Sequence, residues 1–321
     1  MFSRKAFLPP IVLVIAAMLF IGATALFERP GPVEQPPELV IGLVLTDSED
    51  DWKTALYESI ARDARAQGIQ VMTISSTRTQ SDQIDAIRTF LVYRVSAILF
   101  SPVMESGWEY ILSEAADADI PLVTLSEKLS DAETEGRPVY HVGYDYYTLT
   151  SELASAFLQA RGDDFRLVQL GGTVASWVSA QVSGGFRDKL DAGGNARLGY
   201  SINSDFMRSR AYQLISGLLK NEYEFNTILS CSDAMTLGAI DALTEYGLEP
   251  GKDVSLLAVG GGGEAMEAFS AGYLDYLGRC DPEALAGRAV ETVRALARNT
   301  GVVQRETLLR GQLLVGGGSL S

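Results

Sequence analysis

Polar residues suited to holding a small solute gather in short groups just after apolar runs. Asp47, Ser48, Asp50 and Asp51 follow LVIGLVL, Ser126 and Glu127 follow IPLVTL, and Asp205, Ser232 and Asp233 stand in later loops of the same kind. Carboxylates and hydroxyls offer hydrogen bonds to a polar ligand, and the ionised ones do so through charge-assisted bonds. The three tryptophans, Trp52, Trp108 and Trp177, stand at or just beyond the same loops, where aromatic faces are expected to stack on that ligand. Catalysis has no comparable apparatus. His141 is the only histidine and sits within the apolar VYHVG, so it reads as a packed strand residue. There is no G-x-S-x-G elbow, H-E-x-x-H helix or Walker loop.

Two further features suggest chemistry and then lose the suggestion. Gly260, Gly262 and Ala265 fit G-x-G-x-x-A between a strand and a helix, as in a dinucleotide site. They lie late in the chain and inside a run of four glycines, so a crevice turn is the better reading. Cys231 and Cys280 show no C-x-x-C spacing and read as free, buried thiols, although each ends a predicted strand and neighbouring strands would bring them together. Neither a metal nor a cofactor is expected.

The elements that must carry these residues alternate in type. LVIGLVLT is a short apolar run that reads as a strand buried on both faces, and from Trp52 to Gln67 apolar residues recur at close to a helical period until Gly68. Strands at 69–74, 95–100, 120–125 and 139–143 alternate with helices at 80–93 and 107–118. A second series follows, with helices at 149–160, 174–190, 208–219, 235–246 and 264–271 between strands at 166–170, 196–202, 227–231, 255–259 and 274–279. A helix at 282–297 and two apolar stretches near 306–315 complete the chain and are expected to return to the two halves already formed. Such alternation demands parallel sheets covered by helices, with ligand loops at the carboxyl ends of the strands.

Composition narrows the partners. The chain has 321 residues, 47% hydrophobic and 21% charged, and a formal net charge of -15, which argues against nucleic acid because no basic cluster lies beyond the extreme N-terminus. Arg4 and Lys5 precede an apolar run from Ala6 to Phe27, and Ala23, Thr24 and Ala25 resemble a signal-peptidase site. Residues 1–27 thus read as a signal peptide or as an anchor through residues 6–27 in the inner membrane, and 28–38 as a proline-rich linker. Either reading places the body in the periplasm.

The order of units, the leader and several local motifs resemble the type I periplasmic binding proteins that deliver sugars to ABC transporters, in their ribose and galactofuranose branch. The most specific pieces are SPVMESGWEYIL, with Trp108, and SDFMRSRAY, with Asp205, Phe206 and Arg208, supported by SDAMTLGAI around Asp233 and by LEPGKDVSLLAV. The resemblance implies two Rossmann-like lobes joined by a three-segment hinge, 39–144 with 282–309 and 145–281 with 310–321, closing on a solute. It implies a carbohydrate-like ligand held by Asp47, Asp51, Trp52, Trp108, Ser126, Glu127, Trp177, Asp205, Phe206, Arg208, Ser232, Asp233 and Arg279, no catalysis, and an ABC permease as partner. A membrane-tethered sensor subunit acting on a receptor kinase is the alternative. The chain departs from the family where sugar binders carry Asp-Arg, here Ser126 and Glu127, and at Val182, Ser232 and Gly260. The pocket is therefore expected to be more acidic than its relatives'.

Overall fold

The computed structural model describes residues 39–162, 165–192, 198–299 and 301–316. The expected leader and linker lie outside the described residues, and no described helix is long and apolar enough to cross a membrane.

Two six-stranded sheets organise the protein. In the first the order is β11 (Glu306–Leu309), β5 (Val139–Tyr144), β4 (Leu122–Leu125), β3 (Ala97–Phe100), β1 (Leu39–Thr46) and β2 (Ile69–Ser76), with every neighbour parallel. In the second it is β12 (Gln312–Val315), β10 (Tyr276–Arg279), β9 (Ser255–Gly260), β8 (Thr227–Ser230), β6 (Leu167–Gly171) and β7 (Leu198–Asn203). Only β12 runs antiparallel to its neighbour. The exception has a simple cause. β11 runs toward the space between the sheets, and Arg310 and Gly311 lead straight into β12, which must then run away from it. The chain passes between sheets three times, after β5, after β10 and between β11 and β12, as the two-lobed reading requires.

The helices are α1 (Asp51–Ala66), α2 (Gln80–Tyr93), α3 (Glu109–Asp117), α4 (Asp131–Thr134), α5 (Tyr146–Arg161), α6 (Trp177–Ala192), α7 (Arg208–Lys220), α8 (Asp233–Glu245), α9 (Gly263–Ser270) and α10 (Pro282–Arg298). Their starts explain most differences from the sequence reading. α5 begins at Tyr146 rather than 149 because the Asp145 carboxylate accepts the Thr148 N–H. α6 begins at Trp177 rather than 174 because Ser176 Oγ accepts the Ser179 N–H at 3.0 Å. The four residues of α4 are too few to show a period, and no helix was expected there.

One apolar core runs through both halves, and a second lies under α2 and α3 around Phe90, Phe100 and Trp108. Gln83, fully buried between the second core and the loops, fixes the site's edge. Its Nε2 donates to Thr46 Oγ1 and to the Ser101 carbonyl, both at 2.7 Å, while its Oε1 accepts the Val103 N–H at 3.0 Å. Gln83→Leu should therefore lower stability by about 1–3 kcal/mol, since buried polar partners would lose their bonds; urea denaturation measures it.

Candidate functional site

The loops at the carboxyl ends of β1, β3 and β4 face those after β6 to β10 across a cleft of about 270 Å³. This is where an open parallel sheet places its ligand. Of the residues singled out in the sequence, Asp47, Trp52, Ser126, Glu127, Asp205, Phe206, Ser232 and Asp233 line the cleft. Ser48 and Asp50 line it too.

Three residues of this lining carry unusual backbone conformations. Ser126, Asp205 and Phe206 all take left-handed conformations, at φ of 62°, 54° and 56°, which non-glycine residues hold only where their surroundings enforce it. The far end of the Phe206 ring abuts Gly172, where a Cβ would stand 2.1 Å from it. Ser126 Oγ pairs with Tyr146 Oη at 2.8 Å inside the cleft. Trp52 is anchored by its Nε1, which donates to the Cys280 carbonyl at 2.5 Å.

The acidic groups are not equivalent. Asp233 is fully buried and accepts the N–H groups of Gly261 at 2.9 Å and Gly262 at 2.6 Å. A Cβ at 260 would lie 1.8 Å from its Oδ1, so Gly260 leaves the space that Asp233 fills. The glycine run thus cradles this protein's own carboxylate where a dinucleotide site would cradle phosphate. Burial, and then the neighbouring Asp50, push the Asp233 carboxyl well above the usual range, and burial pushes Asp50 up to about 6. Burial likewise raises Glu127, which accepts from Ser176 Oγ at 2.5 Å and from the Val178 N–H at 3.2 Å. Oxygens of Asp50, Asp51 and Asp233 all lie within 4.8 Å of one another, the spacing a hard cation would need, but several of them already accept backbone N–H groups.

Five expected ligand contacts are placed elsewhere. Trp108 is fully buried against Phe100 at 5.3 Å between centroids, its Nε1 donating to the Met104 carbonyl at 2.8 Å. It anchors the loop from inside because α3 needs an apolar plug, and Met104 takes the place on the cleft wall. Trp177 packs edge-on against His141 and Tyr146, at 5.2 and 6.0 Å, outside the lining. Arg208 spends its guanidinium on Asp241 at 2.7 and 3.1 Å and on Glu264 at 2.8 Å, tying α7 to α8 and α9. Arg279 pairs with Asp281 at 2.9 Å, and Asp51 accepts the Glu264 N–H at 2.9 Å. Val182, where the resemblance led one to expect an arginine, is fully buried in the core.

Sequence reasoning missed Lys53, Arg78, Gln80, Met104, Thr173 and Val178 on the lining. Lys53 follows Trp52 directly and had a signal in that position, and its charge bears on both Asp50 and Glu127. The others come from loops and the first turns of helices, whose orientation no spacing announces. The expected surplus of acid is thus partly offset by the two cations. His141 is a packed strand residue, with Nδ1 against Thr124 Oγ1 at 2.9 Å, and burial lowers its pKa to about 3. Cys231 and Cys280 are free and buried, though both edge the cleft; burial raises Cys280 and pushes Cys231 up to about 12.

Known proteins share this arrangement. The sequence profile of the periplasmic binding protein domain matches residues 41–301. The galactofuranose-binding protein YtfQ of Escherichia coli K12 is 28% identical over 280 residues, covering 86% of this chain and 87% of its own. A galactofuranose binding protein of known structure superposes at a TM-score of 0.81 with 26% identity, over 86% of this chain and 94% of its own. The arabinose-transporter binding protein of Shewanella sp. ANA-3, bound to arabinofuranose, gives 0.79 with 25% identity, over 86% and 91%. Two sheets crossed three times, a cleft at their facing carboxyl ends and a profile match over most of the described residues have one explanation: this chain belongs to the periplasmic binding protein domain family.

Proposed function

We propose that the protein captures a small polyhydroxylated solute, a furanose or a polyol, in the cleft and presents it to an ABC permease from the periplasm. The observation that carries this reading is the cleft itself, where Trp52 from one lobe and Phe206 from the other supply apolar faces among carboxylates, hydroxyls and Lys53. A sugar needs both kinds of surface, since its ring carbons stack on aromatics while its hydroxyls demand hydrogen-bond partners. The matched galactofuranose and arabinofuranose binders support the solute class. The lobes comprise 39–144 with 282–309 and 145–281 with 310–321.

No covalent step belongs to this function. The cleft contains no histidine, and burial raises both thiols at its edge, so neither offers a thiolate at neutral pH. The reading includes neither a membrane tether nor a receptor-kinase partner, because no observation favours them.

Thermal denaturation against a panel of furanoses, pyranoses and polyols tests the proposal. A bound solute at about 100 times its Kd adds about 2.7 kcal/mol to stability, a rise of several degrees in Tm. If no carbohydrate or polyol moves Tm while an amine-bearing solute does, the sugar reading fails and the cleft's acids are the reason. Native mass spectrometry of protein from its own host would identify a retained solute directly.

A further inference from the structure

The charged groups on the cleft divide into those the protein has already paired and those it has not. Asp233 accepts the N–H groups of Gly261 and Gly262, Glu127 the Ser176 hydroxyl and the Val178 N–H, and Asp50 the Trp52 N–H at 3.0 Å. Asp205 pairs with Arg210 at 2.7 Å. Burial raises the carboxyls of Asp50, Glu127 and Asp233, which favours their uncharged forms. Asp47 is the one lining carboxylate whose oxygens meet no donor among the described residues.

The two lining cations are not paired in this way. Lys53, in the first turn of α1, makes no hydrogen bond or ion pair among the described residues. Arg78 has Glu49 alone, at 3.9 Å and beyond hydrogen-bond reach, and the Glu49 oxygens already accept the Ser209 N–H and hydroxyl at 3.0 Å. Two hydroxyls point to the same need. Ser101 is 2% exposed and lines the cleft, and its hydroxyl has no partner among the described residues. Thr46 Oγ1 accepts from Gln83 Nε2 at 2.7 Å and from Ser76 Oγ at 3.4 Å, so its own hydrogen is left to donate. Gln83 Nε2 also donates to the Ser101 carbonyl, which sets Thr46 and Ser101 close together. Thr46 ends β1, while Ser101 and Arg78 follow β3 and β2, the strands on either side of it, so these donors share one wall in the first lobe.

Resting on the reading of the cleft as a site for a polyhydroxylated solute, we propose that this solute is a sugar acid, its carboxylate held by Lys53, Arg78, Ser101 and Thr46 while its hydroxyls meet Asp47. Covering the two cations strips them of water, which is costly unless an opposite charge replaces it. The hydroxyl of a neutral sugar brings only a partial charge. A carboxylate brings a full one with about four acceptor sites, and ammonium and guanidinium groups bind it through charge-assisted hydrogen bonds.

Calorimetric titration of the full chain with matched pairs, in which one carbon is either a carboxylate or a hydroxymethyl group, tests this. The pairs are D-gluconate and D-sorbitol, D-galacturonate and D-galactose, and L-arabinonate and L-arabinitol. At least one acid should bind about tenfold or more tightly than its neutral partner, the range for a hydrogen bond to a charged group, and its affinity should fall with added salt. Lys53→Met and Arg78→Gln should each reduce that preference by about tenfold and Ser101→Ala by about threefold, with a smaller effect on the neutral partner. A neutral member that binds as well as every acid overturns the proposal and leaves the solute reading standing. If no member of any pair binds, both fall. An acid that keeps its full preference in the folded double variant of Lys53→Met and Arg78→Gln also overturns the proposal.

Discussion

Truncating Trp108 to Ala is expected to cost about 3–5 kcal/mol of stability, the range for removing a large aromatic from a packed core. The ring is fully buried with Phe90, Phe100, Ile111 and Leu112 in the second core, and its Nε1 bond to the Met104 carbonyl would be lost as well. Solute affinity should change only a few-fold, through Met104 at the cleft wall, as long as measurements are made where the variant is folded. Trp52→Ala, by contrast, should remove most affinity, since its ring forms the cleft face. Urea denaturation combined with calorimetric titration separates the two. If Trp108→Ala abolished binding while leaving stability unchanged, the ring would have to face the solute after all.

Asp50→Asn should stabilise the protein at pH 8 while leaving stability at pH 4 nearly unchanged. Burial raises the Asp50 carboxyl from 3.8 to about 6, so the folded protein holds this proton more tightly than the unfolded chain. The stability it contributes is fully present below its unfolded pKa and is lost as pH rises through about 6. At pH 8 the wild type carries the whole penalty, up to about 3 kcal/mol for a shift of this size, and Asn removes it while keeping an oxygen for the Trp52 N–H. His141 works in the opposite sense. Its folded pKa of about 3 means that its contribution is present above 6.5 and lost as pH falls toward 3. The two effects oppose each other between pH 4 and 6.5, flattening the wild-type profile, whereas the Asn variant should lose stability steadily on acidification. Urea midpoints across that range measure both, and a variant less stable than wild type at pH 8 would show that the charge is needed, most simply by Lys53.

Much of the site's location was legible because period and punctuation are local. LVIGLVLT could only be a buried strand, the acids after it had to lie at the strand's carboxyl end, and the repeated alternation put the other loops beside them. What each side chain does there was not legible. Trp108 and Trp52 occupy similar positions after strands, yet one plugs a core and the other walls the cleft, because α3 and α1 meet different neighbours. Arg208 sits in a motif that suggests a ligand contact, but Asp241 and Glu264 arrive from α8 and α9 and claim it first.

The acidic loop from Asp47 to Trp52 shows where the division falls. That a cluster of carboxylates stands at the mouth of the first strand follows from residue type and strand end, which are properties of the chain alone. Their separate fates depend on long-range packing: Asp47 on the cleft, Asp50 buried beside Asp233, Glu49 and Asp51 on the helices of the facing lobe. The reason is physical. A carboxylate takes whichever N–H groups come within about 3 Å, and here most of those donors lie more than a hundred residues away in sequence, brought near by the three passages between the sheets.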